Sequence, residues 1–359
     1  MLAVMLILAA LFGVSRTEAS MDAGNESAAD GACDDIETHI AGLLKNSGTF
    51  VKKGWKTNAS GETFYYVKGD MLKGWHTIGG DTYYFGKKTG KLYKGWQKIG
   101  GDTYYFGKKT GKLYKGWQKI GGKRYYLGKS TGKLYTGIHK IKGNVYTFDE
   151  NGVLLRTVYG NKKAICLTYD DGPSANTAVI LNTLEKNGGL ATFFVVGNRV
   201  KTYKKTVKRI DAMGCQIGNH SYSHDYYTRM TKKEIRQQIR KCNTAVKKAV
   251  KEKPVITRTP GGSVSDTIKK EVSMPVILWN VDTLDWKIRN ADSVYAKVMQ
   301  NAKDGNVILM HDLYASTAEA SKRFIPKLAE QGFQLVTVEE MALLKGKKLK
   351  PGKVYYSFR

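Results

Sequence analysis

The chain has 359 residues and a formal charge of +28, from 59 Lys or Arg against 31 Asp or Glu, and at roughly 100–200 residues per domain this length calls for two or three domains. Its 42% hydrophobic and 25% charged content is ordinary for globular proteins, which excludes a mostly disordered chain, a collagen and a polytopic membrane protein. The charge is −5 over residues 1–50, +16 over 51–156 and +17 over 157–359, so both large segments attract polyanions; nucleic acid, anionic lipid and anionic wall polymer are all admissible on charge alone.

Leu2 to Val14 is an apolar run of 13 residues, too short for ~30 Å of hydrocarbon but of the length of a secretory signal core. No Lys or Arg precedes it, and Thr17-Glu18-Ala19 is a candidate cleavage site. The expectation is a signal over 1–19, truncated at its start, then an acidic linker over 20–50, with a secreted product that has no membrane span after cleavage; a truncated membrane anchor is the alternative. Cys33, Cys166, Cys215 and Cys242 are too few and scattered for a disulfide-built fold or a thiolate metal site. Cys166 reads as a core residue, and Cys215 and Cys242 are a candidate pair.

A tandem array follows. Gly-Trp recurs at 54/55, 74/75, 95/96 and 116/117, with a weaker Gly-Ile at 137/138, in steps of 20, 21, 21 and 21 residues. Each unit reads as a strand, a Gly-Gly turn (Gly79-Gly80, Gly100-Gly101, Gly121-Gly122), a Tyr-Tyr strand and a Lys/Gly turn. A lone hairpin cannot bury its aromatics, so the array must be stabilised by stacking each unit on the next. These units resemble the choline-binding and related cell-wall-binding repeats of Gram-positive surface proteins. That resemblance implies aromatic cages for quaternary ammonium groups, and it assigns Trp75, Trp96, Trp117, Tyr84, Tyr105 and Tyr126 to them. The alternative is that the same rings only cement the solenoid. Lys87, Lys88, Lys91 and Lys94 crowd the turns, as a site for anionic teichoic-type polymer or as a solvated face. Single-stranded nucleic acid ranks far lower for an exported chain, and none is expected as a partner.

From Lys163 the texture changes to apolar β runs alternating with charged helical stretches, the pattern of a parallel sheet covered by helices. Seven runs are expected: Ala164–Tyr169, Ala191–Val196, Cys215–Gly218, Val255–Thr257, Val276–Val281, Val307–Met310 and Gln334–Val338. Helices are expected over Thr231–Lys251 and Ser293–Ala302. The fold class is therefore α/β, a distorted (β/α)7 barrel over 160–346 with a C-terminal tail over 347–359, preceded by an all-β hairpin-repeat solenoid over 51–156.

Asp170-Asp171, His220, Arg258, Asp282 and His311 each fall at or just after the end of a run, the rim where chemistry gathers in barrels of parallel strands. Singly, each has a bland reading; Asp-Asp-Gly-Pro makes a good turn, and His311-Asp312 could cap the next helix. His220 and His224, four residues apart, can present two imidazoles on one face of a helical turn, as a divalent metal wants.

The ordered set TYDDGP (168–173), HSYSH (220–224), RTPGG (258–262), DTLDW (282–286) and LMHD (309–312) resembles the five motifs of NodB-type polysaccharide deacetylases, carbohydrate esterase family 4. The resemblance implies a metal triad of Asp171, His220 and His224, typically holding zinc, with cobalt or nickel as alternatives. It implies Asp170 as general base with Arg258 holding it and keeping it ionised, and His311 as general acid oriented by Asp285. It further implies an oxyanion donor at the Gly261 amide and an acetyl slot walled by Trp286 and Leu309. Gly261 departs from the pattern, which commonly has an aromatic there, so a side-chain wall of the groove is missing. The expected activity is removal of N-acetyl groups from amino sugars of a polysaccharide, most of all peptidoglycan N-acetylglucosamine, on a cell wall gripped by the repeats. Chitooligosaccharide or acetylated xylan are the rival substrates, and a non-catalytic wall adhesin is the rival of another class.

Overall fold

The computed structural model describes residues 53–359; the expected signal over 1–19, the linker and Cys33 lie outside the described residues. The described chain divides into two compact units, up to Tyr114 and from Lys115 onward.

The first unit is a stack of antiparallel hairpins. β1 (Lys53–Thr57) pairs with β2 (Thr63–Val67), which a short β3 (Asp70–Met71) extends; β4 (Gly74–Ile78) pairs with β5 (Asp81–Phe85), and β6 (Gly95–Ile99) with β7 (Asp102–Phe106). A two-residue turn that matches strand twist needs positive φ at both central positions, and Gly79 and Gly80 supply φ of 59° and 84°. That turn fixes the register, setting Trp75 opposite Tyr84 and Trp96 opposite Tyr105. Trp75 meets Tyr84 edge-on at 5.0 Å and Tyr104 of the next hairpin, also at 5.0 Å, so one indole serves two repeats. The connecting segments bond back to the preceding hairpin, Leu92 N–H to the Thr63 carbonyl and Leu113 N–H to the Thr82 carbonyl. A single turn therefore propagates into a solenoid.

The second unit begins with more of the same, β8 (Gly116–Ile120) with β9 (Lys123–Leu127), then a three-stranded sheet of β10 (Gly137–Ile141), β11 (Asn144–Phe148) and β12 (Leu154–Val158). It continues into a parallel sheet. β13 (Ala164–Asp170) is its centre, with all seven residues buried, as a strand covered on both faces requires. β14 (Thr192–Val195) and β15 (Gln216–Asn219) lie on one side of it; on the other lie β18 (Val307–His311) and β17 (Val281–Asp282), while β19 (Gln334–Leu335) pairs with the start of β13. The helices are α1 (Ala175–Lys186), α2 (Lys204–Ala212), α3 (Lys232–Val250), α4 (Asp266–Val272), α5 (Asp285–Ile288), α6 (Ala291–Gln300), α7 (Ala315–Glu330) and α8 (Val338–Leu344). Thr231 and Glu234 close a reciprocal capping box at the start of α3, and Thr337 and Glu340 do so for α8.

Three expectations are corrected. The run Val255–Thr257 is not a strand; only Thr257 bridges, to Asn219 and to Val276. The run Val276–Val281 is broken into β16 (Val276–Ile277) and β17. Residues 347–359 are not a tail, because β20 (Val354–Tyr355) pairs parallel with β16 and Phe358 is buried in the core. No helix among the described residues is long and apolar enough to cross a membrane.

The last hairpin sheet is part of the second unit's core. Val145 and Val158 pack in one apolar cluster with Ala164, Val338 and Met341. Arg156 on β12 donates to the carbonyls of Gly188 and Leu335, both at 2.7 Å, and its Nε lies 3.2 Å from the buried Glu340 carboxylate. Arg156→Ala leaves Glu340 buried without its cation, so the free energy of unfolding in urea is expected to fall by about 2–4 kcal/mol. An unchanged denaturation midpoint would show that the guanidinium is not holding the sheet.

Candidate active site and metal centre

β13 delivers Asp170 and Asp171 to its C-terminal end. Asp171 sits at φ 70°, in the left-handed region, so the chain turns there and its carboxylate swings toward the end of β15. The next residue must be glycine, since a Cβ on Gly172 would lie 2.2 Å from both carboxylate oxygens of Asp312. His220 follows β15 directly. Residues 220–224 are not the helical turn expected from their spacing; Ser221 and His224 have φ of 62° and 65°, and the Ser221 hydroxyl accepts the His224 N–H at 2.8 Å. The imidazoles converge because a tight loop, held by Asn219 Oδ1 on the Ser221 N–H, folds them together.

Asp171, His220 and His224 each present a ligand atom, all within 4.8 Å of one another. Asp171 Oδ1 lies 3.3 Å from His220 Nε2 and 2.9 Å from His224 Nε2. The His220 Nδ1 is 2.7 Å from the Arg258 carbonyl, which can only accept. Nδ1 therefore carries a proton, and Nε2 is the nitrogen left to face a cation at the centre. Asp171 Oδ1 is buried without a hydrogen-bond donor, an orphan that a cation would satisfy. Burial pushes the Asp171 carboxyl up, but the two imidazoles beside it hold it well below the usual range. Two imidazole nitrogens and one carboxylate oxygen suit zinc or cobalt better than an all-oxygen cation such as magnesium.

Arg258 is fully buried behind this group. It donates to Asp170 Oδ1 and to the Thr168 hydroxyl at 2.8 Å, and to the carbonyls of Ile277 and Leu278 at 2.8 and 2.9 Å, and it lies 4.2 Å above the Phe194 ring. Asp170 Oδ2 faces the triad, 3.7 Å from His220 Nε2. In the β13–β18 register Asp170 stands opposite His311. His311 Nδ1 is 2.8 Å from Asp285 Oδ1, and Asp285 Oδ2 accepts the His311 N–H and the Thr317 hydroxyl, each at 2.7 Å. Burial pulls the His311 imidazole down, but the Asp285 hydrogen bond and the charges of Asp170, Asp285 and Asp171 outweigh it and push it up to about 9. Asp282 turns its carboxylate onto the Leu284 N–H and anchors the loop that leads to Asp285.

Leu309 lies two residues before His311, on the same face of β18, and is buried. Trp286 is 45% exposed at the start of α5. Gly261 has φ 65° in the turn after Arg258, and no hydrogen bond among the described residues takes up its N–H. Sequence reasoning missed Thr317, which has no motif of its own, and found no role for Asp312 beyond the bland reading of a helix cap. Asp312 caps no helix; it lies beneath Gly172, takes the Thr177 hydroxyl, and burial with the nearby Asp171 and Asp170 charges pushes it up to about 7. Cys166, Cys215 and Cys242 are free and buried, so the candidate pair is not formed.

The repeat aromatics divide into two groups. Tyr84, Tyr105 and Tyr126, assigned to the cages by the resemblance, are buried in the hairpin cores, and each packs edge-on against its cross-strand tryptophan. Trp55, Trp75 and Trp96 are the exposed rings, at 43%, 41% and 38%. Trp55 was overlooked although its Gly-Trp signal was plain in the sequence. Trp117 differs, because Arg124 replaces the threonine of the other units and sets its guanidinium 4.9 Å from the indole centroid. Of the turn lysines, Lys91 pairs with Glu62 at 2.9 Å inside the array.

The polysaccharide deacetylase family model matches residues 157–274, a choline-binding repeat model matches 93–137, and a putative cell wall binding repeat model matches 73–92. The peptidoglycan-N-acetylmuramic acid deacetylase PdaC of Bacillus subtilis is 43% identical over 190 residues, 53% of this chain, and the match spans only 41% of that relative's length. A peptidoglycan-N-acetylglucosamine deacetylase of Bacillus cereus is 33% identical over 54% of this chain and 94% of its own length. Among solved structures, a family 4 acetyl xylan esterase from Clostridium thermocellum in complex with a cobalt ion matches with a TM-score of 0.52 and 33% identity, over 54% of this chain and 98% of that one.

Asp171→Asn and His224→Ala are each expected to weaken zinc binding by about 100-fold or more in isothermal titration calorimetry, with the far-ultraviolet circular dichroism retained. Wild-type affinity in either variant would dismiss the triad as a metal centre.

Proposed function

Because the chain belongs to the polysaccharide deacetylase family, we propose that it hydrolyses the acetamides of N-acetylated amino sugars in cell-wall peptidoglycan, releasing acetate and a free amine. The observation that carries this reading is the pairing of Asp170 with His311 at the ends of adjacent strands, beside three convergent ligand atoms. A carboxylate and an imidazole so placed flank one reacting carbonyl from two sides. A divalent cation held by Asp171, His220 and His224, zinc first among the candidates, supplies Lewis acidity toward the carbonyl and toward water.

Asp170 takes the proton of the attacking water, its other oxygen being fixed by Arg258. The Gly261 N–H donates to the developing oxyanion. His311 then protonates the departing nitrogen from Nε2, while Asp285 holds Nδ1–H and so sets both ring orientation and charge. Leu309 and Trp286 wall the acetyl methyl. Trp55, Trp75 and Trp96 hold the wall polymer or its quaternary ammonium groups, and the array raises the local substrate concentration without any allosteric link. We further propose that the parallel strands close as a distorted seven-stranded barrel, supported by the bridges of Thr257 to Asn219 and to Val276. Secretion to a Gram-positive-type wall completes the reading.

Acetate release from peptidoglycan, chitooligosaccharide and acetylated xylan, compared side by side with zinc and with a chelator, tests the activity. Turnover of the two amides that the chelator abolishes is expected; turnover of xylan alone would overturn the substrate class, and none at all would overturn the enzyme. His311→Ala is expected to lower amide hydrolysis by about 10²–10⁴-fold and ester hydrolysis far less, because an alkoxide leaves without prior protonation. An acid must be protonated to act, so a group raised from 6.5 to about 9 sustains the rate into alkaline pH and loses it as pH climbs through that value. A cation at Asp171 offsets part of the rise, placing the alkaline limb of kcat between the two. Asp285→Asn is expected to move that limb downward; an unmoved limb would assign it to another group.

A further inference from the structure

The loop that brings His224 to the metal centre continues into two tyrosines with opposite fates. Tyr227 is almost wholly buried, whereas Tyr226 is 45% exposed. The Tyr226 ring lies 6.4 Å from the His224 imidazole at 62° to its plane. It also sits directly on the backbone of the Arg258 loop, where a Cβ built on Gly261 would be 2.3 Å from Tyr226 Cε1 and 3.0 Å from Cδ1. The ring thus fills the space into which any side chain at position 261 would project. It also borders a cleft of about 680 Å3, together with His224, Asp225, Arg229, Glu234 and Gln238.

The ring is half in solvent beside the metal centre, with the Arg229 guanidinium 5.8 Å from its centroid and carboxylates and an amide around the rim, and its open part matches the two surfaces of a pyranose. The C–H face of such a sugar stacks on an apolar ring, and its equatorial hydroxyls reach the polar rim. We propose that Tyr226 is a specificity-determining wall of the substrate groove, stacking on the amino sugar whose acetamide enters the metal centre, and that it adds to the left-handed φ of 65° in keeping position 261 a glycine, because the ring occupies the side-chain space there. This rests on the deacetylase reading for the identity of the sugar. The pair is mutually exclusive by sterics: a side chain at 261 meets the ring, and a small residue at 226 leaves the groove open on the His224 side.

The test uses the zinc-loaded full chain with an N-acetylglucosamine pentamer. Tyr226→Ala is expected to raise KM about tenfold, the size of one lost 1.4 kcal/mol contact, with kcat lowered less than threefold and zinc affinity held within twofold. Tyr226→Phe should restore KM to within twofold of wild type, since the ring and not the hydroxyl stacks. Gly261→Ala should impair KM more in the wild type than in the Tyr226→Ala background, a non-additivity that only a shared space produces. An unchanged KM in Tyr226→Ala, or a collapse of kcat together with zinc loss, overturns the wall. If the wild type releases no acetate from any substrate, the deacetylase reading fails by itself. Calorimetric binding of the pentamer then decides the wall: a tenfold loss in Tyr226→Ala sustains it, and equal affinity overturns it.

Discussion

A guanidinium taken wholly out of water is the constraint around which the catalytic half is arranged. An isolated buried cation would cost several kcal/mol, and Arg258 persists because every direction of its fork is met, by Asp170, Thr168 and the carbonyls of Ile277 and Leu278. Those acceptors come from β13, from the end of β16 and from the break that follows it, so one side chain ties the central strand to the irregular edge. Its own carbonyl fixes the His220 proton on Nδ1. The Asp170 carboxylate, the His220 ring and the local sheet geometry therefore share a single residue, and removing it would disturb all three together.

The motifs and the central strands were legible in the sequence because burial on both faces writes an unbroken apolar run, as in Ala164–Asp170. Legibility declined toward the edges. Val255–Thr257 is apolar, yet Thr257 makes only isolated bridges, and the chain past residue 346 looked like a charged tail while Phe358 is part of the core. A single buried aromatic in a Lys-rich stretch has no period to reveal it. The spacing of His220 and His224 was read as helical; i, i+4 spacing is also compatible with a loop closed by left-handed residues, and periodicity cannot separate the two. Thr317 belongs to no motif and meets Asp285 only across the fold, and Tyr226, just past the HSYSH motif, meets the backbone of Gly261, so only the folded chain exposes these contacts.

The array makes the complementary point that identical motifs do not guarantee identical surfaces. The Gly-Trp pairs at 74/75, 95/96 and 116/117 are each set opposite a tyrosine by the same two-glycine turn, which buries the tyrosine and turns the indole outward. Where threonine becomes Arg124 the indole acquires a resident cation from its own chain. The repeats thus range from open indoles at Trp55, Trp75 and Trp96 to one whose face is already covered, a gradation invisible to a count of motifs.

The intrusion of Val145 and Val158 into the same apolar cluster as Val338 and Met341 bears on how such proteins are rearranged by recombination. A crossover placed where the repeat pattern stops would strip three strands from a finished core and leave Glu340 facing solvent. The exchangeable part of this chain is therefore an enzyme that carries its last hairpin as an integral layer, and the freely variable part is the run of hairpins before it.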